Sequence, residues 1–182
     1  VQDMCFSDYA VTNETVGIPS EAVKTLAEND AVESVSTTRL SVFMPGAGDI
    51  LPFETDLSVQ SHETLQLVNV DEAQLQIYAP NLSAQDKQAL KDGTGCLVKN
   101  PIAFSYGDTT VQQTDLTVGD TIQLGDRTLP VLGLIDTAIT INNDGFTNGV
   151  QLIVNDEIYC SLLGNDSYSE VYPTLQDNAD TD

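Results

Sequence analysis

His62 is the single histidine of the chain and sits in Ser61-His62-Glu63-Thr64. A Ser-His-Asp hydrolase would need such a base between its nucleophile and an orienting acid. No G-x-S-x-G elbow accompanies it, and its polar setting just ahead of a strand reads as a solvent-facing loop. Asn142, Asn143 and Asp144 precede Gly145, with Asn148 and Asp156 downstream, and such oxygen-rich runs can hold Ca²⁺. The D-x-D-x-D-G register is not met and no Glu closes the loop, so a hairpin turn is the better reading. Gly46-Ala47-Gly48 lacks the remainder of either phosphate-cradling signature, G-x-G-x-x-G or G-x-x-x-x-G-K-S/T. With 28 Asp and Glu, a carboxylate pair at glycosidase spacing arises by chance. A chain without Trp also lacks the usual aromatic platform for sugar. Cys5, Cys96 and Cys160 are widely spaced and form no C-x-x-C. One bridge, such as Cys96 to Cys160, stays open, and buried free thiols are the default reading. These residues lead to no assignment of a catalytic, cofactor-binding or metal-ligating residue, and no cofactor is expected.

The charge balance excludes more than the motifs do. Six Lys and Arg stand against 28 Asp and Glu, for a net charge of −22 over 182 residues. Phosphate neutralisation needs clustered bases. Lys24, Arg39, Lys87, Lys91, Lys99 and Arg127 are scattered, so nucleic-acid binding is excluded and docking on anionic lipid disfavoured. An acidic field attracts a cationic ligand such as a basic peptide, although a solvated acidic surface is the simpler account. Hydrophobic residues make up 41%, enough to bury a core. The longest aliphatic stretch, 129–135, falls far short of the ~20 residues of a spanning helix. Val1 opens in no start-like context, and the polar run at 178–182 closes without an element. A fragment of a longer protein is therefore expected.

The pattern along the chain supplies the scaffold. Residues 4–11 alternate as a strand. Ser20 is expected to cap a helix whose face carries Ala22, Val23, Leu26 and Ala27. A strand over 31–44 follows, with Leu40, Val42 and Met44 on one side and Ser41 on the other. Residues 45–63 read as a loop excursion and 65–70 as a strand. Asp71 caps one helix, and Ser83 with Asp86 forms a capping box for a second, stopped by Asp92-Gly93. From Cys96 to Ile135 the texture is short strands and turns, with Pro130 expected at an edge or a bulge. Residues 150–154 form a buried strand, and Asn155 opens a helix bearing Ile158, Tyr159, Leu162 and Leu163 that Gly164 ends. A strand over 168–175 is last.

This order, together with the segment 116–124 (Leu-Thr-Val-Gly-Asp-Thr-Ile-Gln-Leu) followed by 129–135 (Leu-Pro-Val-Leu-Gly-Leu-Ile), resembles the extracytoplasmic domain of MacB/FtsX-like ABC transporter permeases. The segment is similar to that family's "GD-x-I-x-L, then V-x-G" hairpin. Upstream, Gly17-Ile18 and 31–35 resemble its first helix and the strand after it. Downstream, 150–155 with Ile158-Tyr159 resembles the strand-to-helix step after the inserted module. Pro130 departs from the pattern, and the 45–63 excursion has no counterpart in it.

The resemblance implies an α+β fold: a split β-α-β porter-like lobe over 1–100 and 146–182, with a small β-rich, barrel-like module inserted at 101–145. It also implies a non-catalytic domain on the extracellular or periplasmic face of a membrane protein. Its partners would be a cognate ABC ATPase subunit reached through the parent permease, a cationic peptide or lipoprotein cargo, and a second copy in a homodimer. A stand-alone extracellular ligand-binding or adhesion module is the alternative.

Overall fold

The computed structural model describes residues 7, 9–13, 16–58, 64–99, 104–106, 109–111, 116–135 and 149–177. The helices start where side-chain caps start them. Helix α2 (Glu72–Tyr78) is capped by Asp71, which accepts from the Gln74 amide at 3.0 Å. Helix α3 (Ala84–Lys91) is capped by Ser83, which accepts from the Asp86 amide at 3.1 Å and donates to the Asp86 carboxylate at 2.6 Å. Helix α4 (Asp156–Leu163) is capped by Asn155, accepting from the Ile158 amide at 2.9 Å, and Gly164 ends it at φ 63°. Helix α1 (Ser20–Ala27) departs from expectation. Pro19 is its N-cap, with no side-chain cap bond, because Ser20 already lies within the helix and its hydroxyl donates to Asp166 at 2.9 Å. Val23 alone of its apolar residues is buried; Leu26 is half-buried, and Ala22 and Ala27 are exposed.

The strands are β1 (Val11–Thr12), β2 (Val32–Phe43), β3 (Thr64–Val70), β4 (Cys96–Lys99), β5 (Phe104–Tyr106), β6 (Thr109–Val111), β7 (Thr121–Leu124), β8 (Arg127–Leu134), β9 (Gly149–Ile153) and β10 (Glu170–Leu175). Eight of them form one mixed sheet in the order β1-β10-β2-β3-β9-β4-β8-β7. The β3–β9 and β4–β8 pairs are parallel and the other pairs antiparallel. Strands β5 and β6 form a separate antiparallel pair. Half of the strand expected at 4–11 lies outside the described residues, and of the rest only Val11 is in a strand. Most of 101–115 and the turn at 142–145 also lie outside the described residues.

The central strands β3, β9 and β4 are buried on both faces, which is why they read as near-continuous apolar runs. On one face Leu65, Leu67, Val150, Leu152, Cys96 and Val98 pack beneath Ile158 and Tyr159 of α4. On the other, Val68, Ile153 and Leu97 pack beneath Leu75, Tyr78 and Leu90 of α2 and α3. Val23 of α1 and Ile18 just before it pack on Val171 of β10. In β2 the buried residues are Thr38 and Arg39, whereas Val42, and Met44 just past the strand's end, are 44% and 45% exposed. The apolar side expected for this strand is thus half uncovered, since β10 pairs with β2 only as far as Thr38.

The hairpin of β7 and β8, placed by sequence inside the module at 101–145, hydrogen-bonds to β4 and shares the α4-side core. Pro130 pairs with Thr121 of β7. On the β4 side the ladder begins only at Val131, and it shifts register between Cys96 and Leu97. Pro130 therefore sits where no amide is required of it. Gly95 stands beside this shift: a Cβ there would lie 2.5 Å from the Leu132 side chain.

The excursion after β2 also has a structural role. Phe53 is buried in the main core and meets Phe43 edge-to-face at 5.9 Å. Glu54 accepts from the Gly125 amide at 2.8 Å, Thr55 bridges to Leu124, and Asp56 accepts from the Gln123 amide at 2.8 Å. Residues 53–56 thus cover the outer edge of β7, a position that would otherwise leave backbone groups unpaired. Phe53→Ala is expected to lower unfolding stability by about 3 kcal/mol, the usual cost of emptying a buried aromatic site. A urea titration measures it, and a loss under about 1 kcal/mol would show that the strap adds nothing to the core.

Candidate functional site

Arg39 organises the end of the sheet where β2, β3, α4 and the approach to β10 meet. It is 3% exposed. Its Nη1 donates to Asn69 Oδ1 at 2.9 Å and to the Asp156 carboxylate. Nε and Nη2 both donate to the Asp166 carbonyl, at 3.1 and 2.9 Å. The guanidinium lies 3.8 Å from the centroid of the Tyr168 ring, a cation–π stack. Asn69 passes the network on by donating to the Val154 carbonyl at 3.2 Å. A planar fork with several donors suits this arrangement, and a lysine could not reproduce it. The sequence reading found Arg39 only as one scattered base; the signal available was a lone arginine midway along a strand.

Beside this knot lies a cleft of about 820 Å³. Its floor is the β2 segment Leu40–Val42, and Tyr159, Tyr168 and Glu170 form part of its walls. Tyr159 and Ser41 share a hydrogen bond of 2.7 Å, and burial raises the Tyr159 phenol above its ordinary value. Across the sheet a smaller cleft of about 400 Å³ lies between the α2–α3 connection and β8, with Leu82, Leu97 and Leu134 among its lining.

A second buried polar row crosses β3, β9 and β4, formed by Gln66, Gln151 and Lys99. Gln151 Nε2 donates to Gln66 Oε1 at 2.5 Å, while Gln151 Oε1 has no partner among the described residues. An orphaned buried acceptor lowers stability.

His62, Cys5, Asn142, Asn143, Asp144 and Asn148 lie outside the described residues. Asp156, the described member of the oxygen-rich set, is engaged with Arg39. Among the described residues no group of three or more His, Cys, Asp or Glu is placed to hold a metal. Cys96 and Cys160 are free thiols, so the bridge left open between them is not formed. Burial pushes the Cys96 thiol up to about 12, so it is inert as a nucleophile near neutrality. The arrangement offers shape, an acidic surround and backbone groups rather than a nucleophile–base pair.

No protein-family model matches the sequence, and no curated protein matches it. Solved structures do. The extracellular domain of the noncanonic ABC-type transporter YknZ from Gram-positive bacteria aligns at a TM-score of 0.51 and 12% identity, over 89% of this chain and 75% of that one. The periplasmic region of MacB from Actinobacillus actinomycetemcomitans aligns at 0.46 and 11%, over 94% and 69%. The chain has the fold of the YknZ extracellular domain. The mixed α+β architecture expected from the sequence is therefore present.

Two predictions follow the Arg39 knot and the buried phenols. Arg39→Met should cost about 2–3 kcal/mol in a urea titration, through lost hydrogen bonds and stacking. Asp156→Asn should cost under about 1 kcal/mol, because the Asp156 side chain is 69% exposed; equal losses would place the stabilisation in the ion pair instead. Burial, reinforced by Glu170, raises the Tyr78 and Tyr172 phenols from 10.0, and burial raises Cys96 from 9.0. Their contribution is complete below those unfolded values and is lost as pH rises through the folded ones. The urea midpoint should therefore fall above pH ~10, and fall less in a Tyr78→Phe, Tyr172→Phe double variant.

Proposed function

We propose that this chain is a non-catalytic extracytoplasmic domain of an ABC transporter permease. The observation that carries the reading is the fold likeness to the YknZ extracellular domain over 89% of the chain. In this reading ATP is hydrolysed on a cognate cytoplasmic ATPase, and movement reaches the domain through membrane helices of the parent permease. None of the described helices is long and apolar enough to cross a membrane. The domain lies on the extracellular or periplasmic side, no residue is assigned to catalysis, cofactor or metal, and self-association accompanies a dimeric permease. The net charge of −22 supports a cationic peptide over an anionic cargo, with lipoproteins the other cargo class. A lobe over 1–100 and 146–182 with a module inserted within 101–145 is the proposed organisation, with β7 and β8 of that segment joined to the main sheet.

The test is the hydropathy of the parent reading frame on either side of Val1 and Asp182. An apolar span of ~20 residues close to each end is expected. Polar flanks on both sides would overturn the permease reading and leave a free-standing binding or adhesion module.

A further inference from the structure

Strand β2 is longer than its outer neighbour. Strand β10 pairs with β2 from Val32 to Thr38 and then ends, at Glu170. The chain preceding it turns away, and Tyr168 pairs instead with Ile18, at 2.7 and 2.8 Å. The edge of β2 beyond Thr38 is therefore open to whatever lies in the larger cleft.

Backbone parity fixes which groups face that opening. The Thr38 carbonyl accepts from the Ser169 amide at 2.8 Å, on the β10 side. The Thr37 amide donates to Asp71 at 2.9 Å, on the β3 side. Alternation along a strand then turns the amide and carbonyl of Leu40, Val42 and Met44 outward. Two of these three positions are stoppered. Ser169 Oγ accepts from the Leu40 amide at 2.8 Å and donates to its carbonyl at 3.1 Å. The Met44 amide donates to Asp49 at 2.7 Å, and its carbonyl accepts from the Ala47 amide at 2.9 Å. Among the described residues nothing bonds the backbone of Val42. Its side chain is 44% exposed, and Leu40–Val42 lines the 820 Å³ cleft.

We infer that this slot receives an extended, basic segment of a partner polypeptide, added to β2 as a strand in line with β10. Strand addition supplies affinity through backbone bonds and selects sequence through alternate side chains. Val42 gives one amide and one carbonyl, and neighbouring Met44 gives exposed apolar surface. The cleft's size falls in the range of ligand clefts, roughly 300–1,000 Å³. Charge selects the occupant. Glu170 lines the cleft, no Lys or Arg does, and the adjacent Arg39 is matched by Asp156. The chain carries −22, so a second copy would be repelled and a Lys- or Arg-bearing strand attracted.

The test uses a fluorescent hexapeptide of alternating Lys and Val, its counterpart N-methylated at every peptide bond, and the variants Val42→Pro and Val42→Thr. Proline removes the outward amide while leaving the β3 ladder intact, a placement edge strands tolerate. At low ionic strength the wild-type chain and Val42→Thr should bind the unmodified peptide alike. Val42→Pro, or N-methylation of the peptide, should weaken binding about ten-fold, the effect of losing a backbone rung at constant charge. Hydrogen exchange on the wild-type chain supplies a readout that needs no variant: the Val42 amide should exchange freely alone and become protected with peptide. Equal affinity for both peptides would reduce the attraction to surface charge and overturn strand addition. So would a Val42 amide already protected in the free monomer, or a self-association lost in Val42→Pro. Each arm is independent of the flanking hydropathy, so failure here leaves the permease reading untouched.

Discussion

Strand β9 lies between β3 and β4, and the rest of the fold depends on that placement. Its neighbours β3 and β4 are both complete by Lys99, while β9 itself begins only at Gly149. Leu152 and Val150 complete the core under α4, and Ile153 completes the core under α2 and α3. Without β9, β3 and β4 would present unpaired apolar edges to solvent, and both cores would be open. The long-range pairing carries a loop-closure cost that grows only slowly with the length of the intervening chain, offset by residues buried on both faces of the sheet.

Around that centre, polar contacts fix the periphery. Arg39 joins the middle of β2 to Asn69 at the end of β3, Asp156 at the start of α4, and the Asp166 carbonyl before β10. On the opposite face Gln74 of α2 meets Thr38 Oγ1 at 2.6 Å and donates to Ser36 Oγ at 3.1 Å. Buried polar groups that are satisfied in this way specify one arrangement among several apolar ones. They also explain how a strand with few large aliphatic residues holds a central position.

What was legible in the sequence was local. Asp71, Ser83, Asn155, Gly93 and Gly164 mark helix ends because capping acts within three or four residues. The runs at 65–70 and 150–154 announce buried strands because burial on both faces removes alternation. The co-linear order of hairpin, strand and helix pointed to the fold later found in the YknZ domain. What was hidden depends on distant partners. Phe53 looks like a loop residue until Phe43 and β7 are placed around it. Ser20 resembles a cap, but Asp166, far along the chain, takes its hydroxyl. The exposure of Val42 follows from where β10 stops, and nothing near Val42 in sequence encodes that. Of the residues lining the larger cleft, Leu40, Ser41, Val42 and Tyr159 were legible only as strand and helix positions, because the cleft forms from segments far apart in sequence.

The pairing of β1 with β10 has a mechanical consequence. Val11 faces Val171 and Thr12 faces Glu170 in antiparallel register, so Ala10 and Tyr172, the next residues along, lead toward the same end of the sheet. Two tethers attached there would act as one handle. Displacing them together would load the sheet through the longer β10–β2 ladder, whereas prising them apart would load a ladder only two residues long. The same joint is therefore stiff to tilting and weak to spreading, the behaviour of a hinge pin with a built-in release.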